Sequence, residues 1–466
     1  MQQDLTQGGI GRTLVVFSMP IVAGMLLQTA FTLVDTFFIG MLGYFELAAI
    51  SIAFPLFFVF IAISSGLDIG ANALISQAVG AKDYKTANNF SEHAVFLAAV
   101  FGIVTGGLGI VFAPAVFTFL GADATVLPLA MQYAVPIFAG VIFSFLWGIS
   151  DAILRSQGNS KTSLQNLAIA VVLNAVLDPF LIFGIWPFPR LGLFGAAITT
   201  VFADFVAALL NFLYIYGPKS GITLALRDFR PNLNCVKRMI KIGLPTSISQ
   251  TLSSIGFMAL MVFVSVFGPP AIAAYGVGMR INSLAVLPIY GMEVAVASFV
   301  GQNIGAKNAD RAKKVTLLGA KMSFVFALLG AIAIMLFSEQ IMQVFTSDPQ
   351  VISIGKQYLT VVPLAFLFYG FYFVLQGAFE GAGKTVFDLA TNIVYWITAV
   401  ALAFVLSDIA GLGLLGIWIA IVAAAVIESI AVTVIFCSGI WLKPGKGNLP
   451  QDAENIDDFG CRKGTI

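Results

Sequence analysis

The chain has 466 residues, 59% of them hydrophobic and 10% charged, where a soluble domain carries about 25% charged residues and about 45–50% apolar ones. An ordinary soluble fold is therefore excluded. With 24 Lys and Arg against 23 Asp and Glu, the net charge of +1 also excludes a nucleic-acid binder built on a basic face, and one histidine (His93) with three scattered cysteines leaves no histidine zinc site and no CxxC metal pair.

A helix crossing a bilayer needs ~20 mostly apolar residues. Twelve such runs follow one another at 13–39, 47–79, 91–117, 124–153, 162–186, 192–216, 237–267, 271–303, 311–337, 350–379, 386–407 and 412–440. The first is longer than a signal-peptide core and lacks a small-residue cleavage site, so it is expected to remain. Span 1 places Gln28, Thr32, Asp35 and Thr36 at i, i+4, i+7 and i+8, on one helical face. Span 4 carries Tyr133. Span 5 sets Asn174 and Asp178 one turn apart, and Pro179 removes the hydrogen bond to the Ala175 carbonyl. Span 6 holds Thr199 and Thr200. At ~1.5 Å per residue, these groups on spans 1, 4, 5 and 6 all fall roughly 8–14 Å from the same membrane surface. Ionisable groups at such depth are costly and by default functional. Asp204, Glu380 and Glu428 are further buried-acid candidates.

Orientation follows from the cations. With the N-terminus inside, twenty-one of the 24 fall on the inner side, six of them between Lys219 and Lys241, which fits both termini in the cytoplasm. The expected layout is a first lobe at 1–216, a linker at 217–236, a second lobe at 237–442 and a polar tail at 443–466.

The two halves repeat at a spacing of 225 residues. GLDIGANALISQAVGAKDYKTA begins at Gly66 and GMEVAVASFVGQNIGAKNADRA at Gly291; Pro20 and Pro245, Asp68 and Glu293, Gln77 and Gln302, Gly80 and Gly305, Tyr133 and Tyr358 and Gly158 and Gly383 keep the offset. Six spans per repeat is an even number, so the halves share one orientation. Parallel repeats of this kind build a central cavity between two bundles. The acids break the symmetry, because position 260, matching Asp35, is leucine, and the span 11 stretch ITAVALAF matching Asp178 is apolar. AFEGAGKT (378–385) imitates a phosphate-binding loop but lacks its first glycine and joins two helices, so it reads as a turn.

Taken together, PIVAGMLLQTAFTLVDTFFIG (20–40), GANALISQAVGAKD (70–83), LRSQGNSKT (154–162), NAVLDPFLIFG (174–184), GAAITT (195–200), GQNIGAK (301–307) and LQGAFEGAGKT (375–385) resemble the multidrug and toxic compound extrusion (MATE) family over essentially the whole chain. The resemblance implies an all-α integral membrane protein of twelve helices in two six-helix bundles. It also implies a secondary active exporter, not an enzyme, that moves amphipathic, often cationic, drugs by alternating access against Na⁺ or H⁺. No cofactor beyond the coupling ion is implied. The ion would sit at Asp35, Tyr133, Asn174, Asp178 and Thr199 or Thr200, with Na⁺ held at Asp35, Asn174 and Asp178. Gln28, Thr32 and Thr36 would face the cavity, and Pro20 would let span 1 bend. Partners are then small organic molecules and the lipid of an inner or plasma membrane, with no nucleic acid, and the protein is expected to act as a monomer. The alternative is a related flippase for lipid-linked or polyprenyl substrates, which would want cations in the cavity, where only Arg280 offers itself. Span 7 has no acid, which argues against an ion site in the second lobe.

Overall fold

The computed structural model describes residues 3–225 and 229–443, so the tail expected at 443–466 lies, Lys443 apart, outside the described residues, as do positions 226–228 of the linker. The described residues are helical almost throughout: α1 (Ile10–Gly40), α2 (Tyr44–Gly80), α3 (Tyr84–Phe119), α4 (Val126–Ser156), α5 (Ser160–Phe183), α6 (Leu193–Ile215), α7 (Leu233–Ser265), α8 (Pro269–Gly305), α9 (Ala309–Leu336), α10 (Ser338–Phe345), α11 (Pro349–Val361), α12 (Leu364–Gly381), α13 (Val386–Phe404) and α14 (Leu414–Ser438). Among them twelve are long and apolar enough to cross a membrane, as the hydropathy pattern predicts.

Two differences from the sequence reading have local causes. The run at 350–379 is two helices, because Pro363 offers no N–H and the chain turns at Val362 before α12 begins. The stretch between the predicted runs 311–337 and 350–379 contains α10, which buries Ser338 and Met342 and packs on α11. The short connections repeat along with the sequence. Lys82 and Lys307 both adopt φ of 58°, and Asp83 and Asn308 then cap α3 and α9 by accepting from the Thr86 and Arg311 amides. The linker is tied to α3: Asn88 exchanges bonds with Thr223, Glu92 accepts from the Ala225 amide at 2.8 Å, and His93 Nε2 accepts from the Asn232 amide at 2.8 Å. His93, with no more than an edge exposed, is thus a structural latch.

α4 packs on α2, α3 and α6, and α1 on α5, in the first half; α12 packs on α8, α9 and α14, and α7 on α13, in the second. The halves meet where α2 crosses α7 and α8, at the end that carries Lys82, Arg155, Lys161, Lys307 and Lys384, called the basic end below. Small residues make that crossing possible. A Cβ on Gly66 or Gly70 would strike the backbone of α7, one on Gly80 the Gln302 backbone, and one on Gly305 the Gln77 backbone. Repeat mates bond symmetrically across it: Gln77 Nε2 donates to the Gly381 carbonyl at 2.9 Å and Gln302 Nε2 to the Ser156 carbonyl at 2.7 Å. Helix α1 is shared between the halves, since Leu14, Phe17 and Ile21 belong to an apolar cluster with Met292, Phe299 and Phe379, and the Phe17 and Phe299 rings meet edge to face at 5.8 Å.

Candidate functional site

Four helices of the first half bring acids, amide and hydroxyl to one buried place. Asp35 comes from α1, Tyr133 from α4, Asn174 and Asp178 from α5, and Thr199 from α6. Asn174, Asp178 and Thr199 have no exposed surface and Asp35 has 8%. Thr199 Oγ1 donates to Asp178 Oδ1, and Asn174 Nδ2 approaches the same oxygen at 3.4 Å. The Tyr133 hydroxyl bonds to the Asp35 carboxylate, and Asp178 lies within electrostatic reach of Asp35. Phe57 closes over Tyr133, ring to ring at 5.9 Å.

Three buried oxygens in this cluster have no donor: Asp35 Oδ1, Asn174 Oδ1 and Asp178 Oδ2. An unsatisfied buried acceptor costs about 1–3 kcal/mol, and more when charged. Two carboxylates at close range in a low dielectric cannot both stay ionised without a positive charge between them. A set made only of carboxylate, amide and hydroxyl oxygens suits a hard cation or a proton. Of the two neighbouring threonines, Thr199 joins the cluster. Thr200 is half-buried and spends its hydroxyl on the Ala196 carbonyl at 3.0 Å.

The rest of the polar face of α1 does not join. Gln28 and Thr32 are exposed and Thr36 half-buried, with the Thr32 and Thr36 hydroxyls donating to the Gln28 and Thr32 carbonyls of their own helix. Pro20 lies inside α1 and leaves the Val16 carbonyl without its helical donor. The next carbonyl, of Phe17, accepts from Ser160 Oγ at 2.8 Å, so the start of α5 holds the chain at this break.

The positions in the second half that match the cluster hold Leu260, Ala399 and Ala403 at the 225-residue offset and Ala420 at the 221-residue offset that relates GLLGIW (413–418) to GLFGAA (192–197), all buried, with Tyr358 packed between Tyr275 and Trp418. The asymmetry read from the sequence is a filled apolar core. Asp204 is bonded by Ser144. Glu380 and Glu428 lie instead in a second acidic group with Glu293 and Asp388. Sequence reasoning passed over Asp388, whose repeat mate is Ser163 and not an acid.

Residues 20–180 and 245–405 each match the profile of the MatE family, and the two matches lie 225 residues apart, the spacing of the internal repeat. The chain is 29% identical over 427 residues to the Probable multidrug resistance protein YoeA of Bacillus subtilis, covering 91% of this chain and 92% of that one. It is 30% identical over 393 residues to the FAD transporter of Shewanella oneidensis, covering 84% and 87% respectively. Its fold superposes with a TM-score of 0.88, at 28% identity and over 95% of this chain and 98% of the other, on the outward-facing conformation of a multidrug resistance MATE family transporter of the MOP superfamily.

Proposed function

The chain belongs to the MatE family of membrane transporters, and from that premise we propose that it is a secondary active multidrug exporter, driven by Na⁺ or H⁺ entering the cell, for amphipathic and often cationic compounds. The observation that carries the reading is the buried cluster of Asp35, Tyr133, Asn174, Asp178 and Thr199 with its three donorless oxygens. A cation arriving there supplies the charge the two carboxylates lack. Its loss to the other side of the membrane returns the site to its starting state.

Alternating access fits the way the halves meet. The hydrogen bonds between them among the described residues gather at the basic end, through Gln77, Gln302, Asn72 and Ser298. A cavity closed there opens toward the opposite surface, and rocking about the Gly80–Gly305 crossing would reverse the opening. The cation bias supports a reading in which the basic end and both termini face the cytoplasm of an inner or plasma membrane, and in that reading the monomer is the working unit.

The test is transport by the purified protein in vesicles. Efflux of a fluorescent organic cation under an imposed Na⁺ or pH gradient is expected from the parent chain and not from Asp35→Asn or Asp178→Asn, with both variants folded. Coupled efflux by either variant at the parent rate would make the cluster structural.

A further inference from the structure

One face of α8 changes character along its length. Gly291, Ser298 and Gly305 follow Arg280 by 11, 18 and 25 residues, which is about three, five and seven turns, so the four share a face. Toward the basic end that face is packed on the first half. A Cβ on Gly291 would strike Val22 of α1, Ser298 bonds to Asn72 of α2, and a Cβ on Gly305 would strike the Gln77 backbone. Arg280, about 16 Å beyond Gly291 on the same face, is exposed. Helix α7 follows the same pattern. A Cβ on Gly243 would strike the Gly66 carbonyl of α2, whereas Gln250 and Ser254, 7 and 11 residues further along that face, are only half-buried.

The repeat supplies its own comparison. At the 225-residue offset Gln250 and Arg280 match Met25 and Pro55. On α2, Pro55 and Val59 precede Gly66 by 11 and 7 residues on one face, and both are exposed. The first half thus offers an apolar wall where the second offers an amide and a cation. Arg280 is no inheritance of the duplicated scaffold, since its mate is a proline.

A guanidinium stays charged, and a charge within a membrane span is costly unless it meets an opposite charge or water. Among the described residues Arg280 has neither an ion pair nor a hydrogen bond. The acids inside α1, α2 and α8 away from the helix ends are Asp35, Asp68 and Glu293. Asp35 and Glu293 are buried, and Asp68 is matched by the charge of Arg155. The Ser254 hydroxyl is taken up by the Gln250 carbonyl at 3.1 Å, so the donors left open on this wall are the guanidinium and the Gln250 amide. A planar fork of N–H groups fits the paired oxygens of a carboxylate or phosphate. We propose that Arg280, with Gln250, anchors a carboxylate or phosphate group on amphipathic compounds that enter the space between the halves, while their apolar body lies against Pro55 and Val59. The proposal rests on the export reading above for the role of that space, and it adds compounds with an anionic end to the organic cations.

The experiment is equilibrium binding to the purified whole chain in an uncharged detergent. The probes are tritiated 1-naphthylacetate and 1-naphthylacetamide, which share a ring system and differ in charge. The parent is expected to bind the acetate about tenfold more tightly than the amide. Arg280→Gln brings that ratio to about one, and Arg280→Met, an apolar side chain of similar reach, does the same. Arg280→Lys keeps the charge without the fork and leaves a ratio of about three. Two competitors tell the sources of the anion apart: displacement of the acetate by hexyl phosphate assigns the site to soluble compounds, and displacement by phosphatidylglycerol alone assigns it to a lipid headgroup. A parent that binds both probes equally overturns the proposal. So does the parent ratio persisting in whichever of Arg280→Gln and Arg280→Met folds. Binding needs no gradient, so a chain that tells the probes apart and yet moves no drug faults the export reading and leaves this one standing.

Discussion

Thr199 and Thr200 differ by one position and by about 100° around α6, and that rotation decides which of them joins the buried cluster. The Thr199 hydroxyl reaches Asp178 as well as the Gly195 and Ala196 carbonyls of its own helix, whereas the Thr200 hydroxyl donates to the Ala196 carbonyl and does not reach the cluster. Thr199→Val removes one of the two donors to Asp178 Oδ1 and is expected to weaken cation binding about tenfold, ~1.4 kcal/mol. Thr200→Val is expected to stay within about twofold. Equal losses in both variants, measured by radiolabelled Na⁺ binding or by the pH dependence of efflux, would place the site elsewhere. Leu260→Asp is not expected to build a second copy of the site, because Ala399, Ala403 and Ala420 offer no oxygen beyond their backbone to share the charge. Much of this cluster was legible in the sequence, since helical spacing and depth bring Asp35, Tyr133, Asn174 and Asp178 to one level. The choice between adjacent threonines was not, because depth changes by only ~1.5 Å between them while the facing direction is set by how α6 rotates against α5. In the second acidic group Asp388 was hidden for a different reason. Asp388 lies two residues inside the predicted edge of its span, where an acid reads as an interfacial cap until tertiary packing buries it.

At the scale of elements, the twelve spans and their order were legible because apolar length is a strong signal. The split at Pro363 and the helix at Ser338–Phe345 were lost inside that same signal, which sees composition and not the missing hydrogen bond. Helix α1 is the element with most to convert. Its first turns belong to the apolar cluster of the second half, its last turns carry Asp35 in the first, and Pro20 lies between. A helix already short of one hydrogen bond bends at modest cost. Under the proposed coupling, a change of charge at Asp35, about four turns on, would alter what the far part of α1 packs against while Phe17 stays on Phe299. Pro20→Ala restores the amide that the Val16 carbonyl lacks and stiffens the joint. That variant is expected to bind the coupling cation near the parent affinity and to export drug several-fold more slowly. Export at the parent rate would leave Pro20 a static kink. Ser160→Ala removes only the clamp on the Phe17 carbonyl and is expected to cost about 1 kcal/mol of stability, read as a lowered unfolding temperature with coupling intact.

For the whole molecule, the duplication explains how two bundles close on each other, because the residues that repeat most faithfully are those that meet at the seam. Gln77 and Gln302 each reach the carbonyl of the other half at matching positions, Gly381 and Ser156. Gly80 and Gly305 cross beside them with no room for a side chain. The N-terminal segment has no repeat mate and bridges both halves: the Gln3 amide donates to the Gly158 carbonyl of the first at 3.2 Å, while on the second the Leu5 amide donates to Gln302 Oε1, the Leu5 carbonyl accepts from Asn303, and Arg311 holds the Gln7 and Gly8 carbonyls. Orientation is checked first with a cysteine at the exposed Ser347, on a background lacking Cys235, Cys437 and Cys461. Ser347→Cys is expected to label from outside intact cells, and labelling only after permeabilisation would invert the topology. The seam is then tested from the other side. Ser298, fully buried where α8 meets Asn72 of α2, becomes reachable only if the halves part at the basic end. In inverted vesicles, Ser298→Cys should react slowly with a membrane-impermeant maleimide. Adding Gln77→Ala or Gln302→Ala removes one of the two symmetric bonds, worth about 0.5–1.5 kcal/mol, and should speed the reaction by roughly two- to tenfold. Gly80→Val, whose side chain has no place against the Gln302 backbone, should speed it further. The two glutamine variants should act alike because the bonds they break are repeat mates, but Gln302→Ala also releases Leu5 and is expected to be the faster of the pair. If neither glutamine nor Gly80 changes the rate, the basic end is a fixed joint, and the rocking proposed above about the Gly80–Gly305 crossing fails.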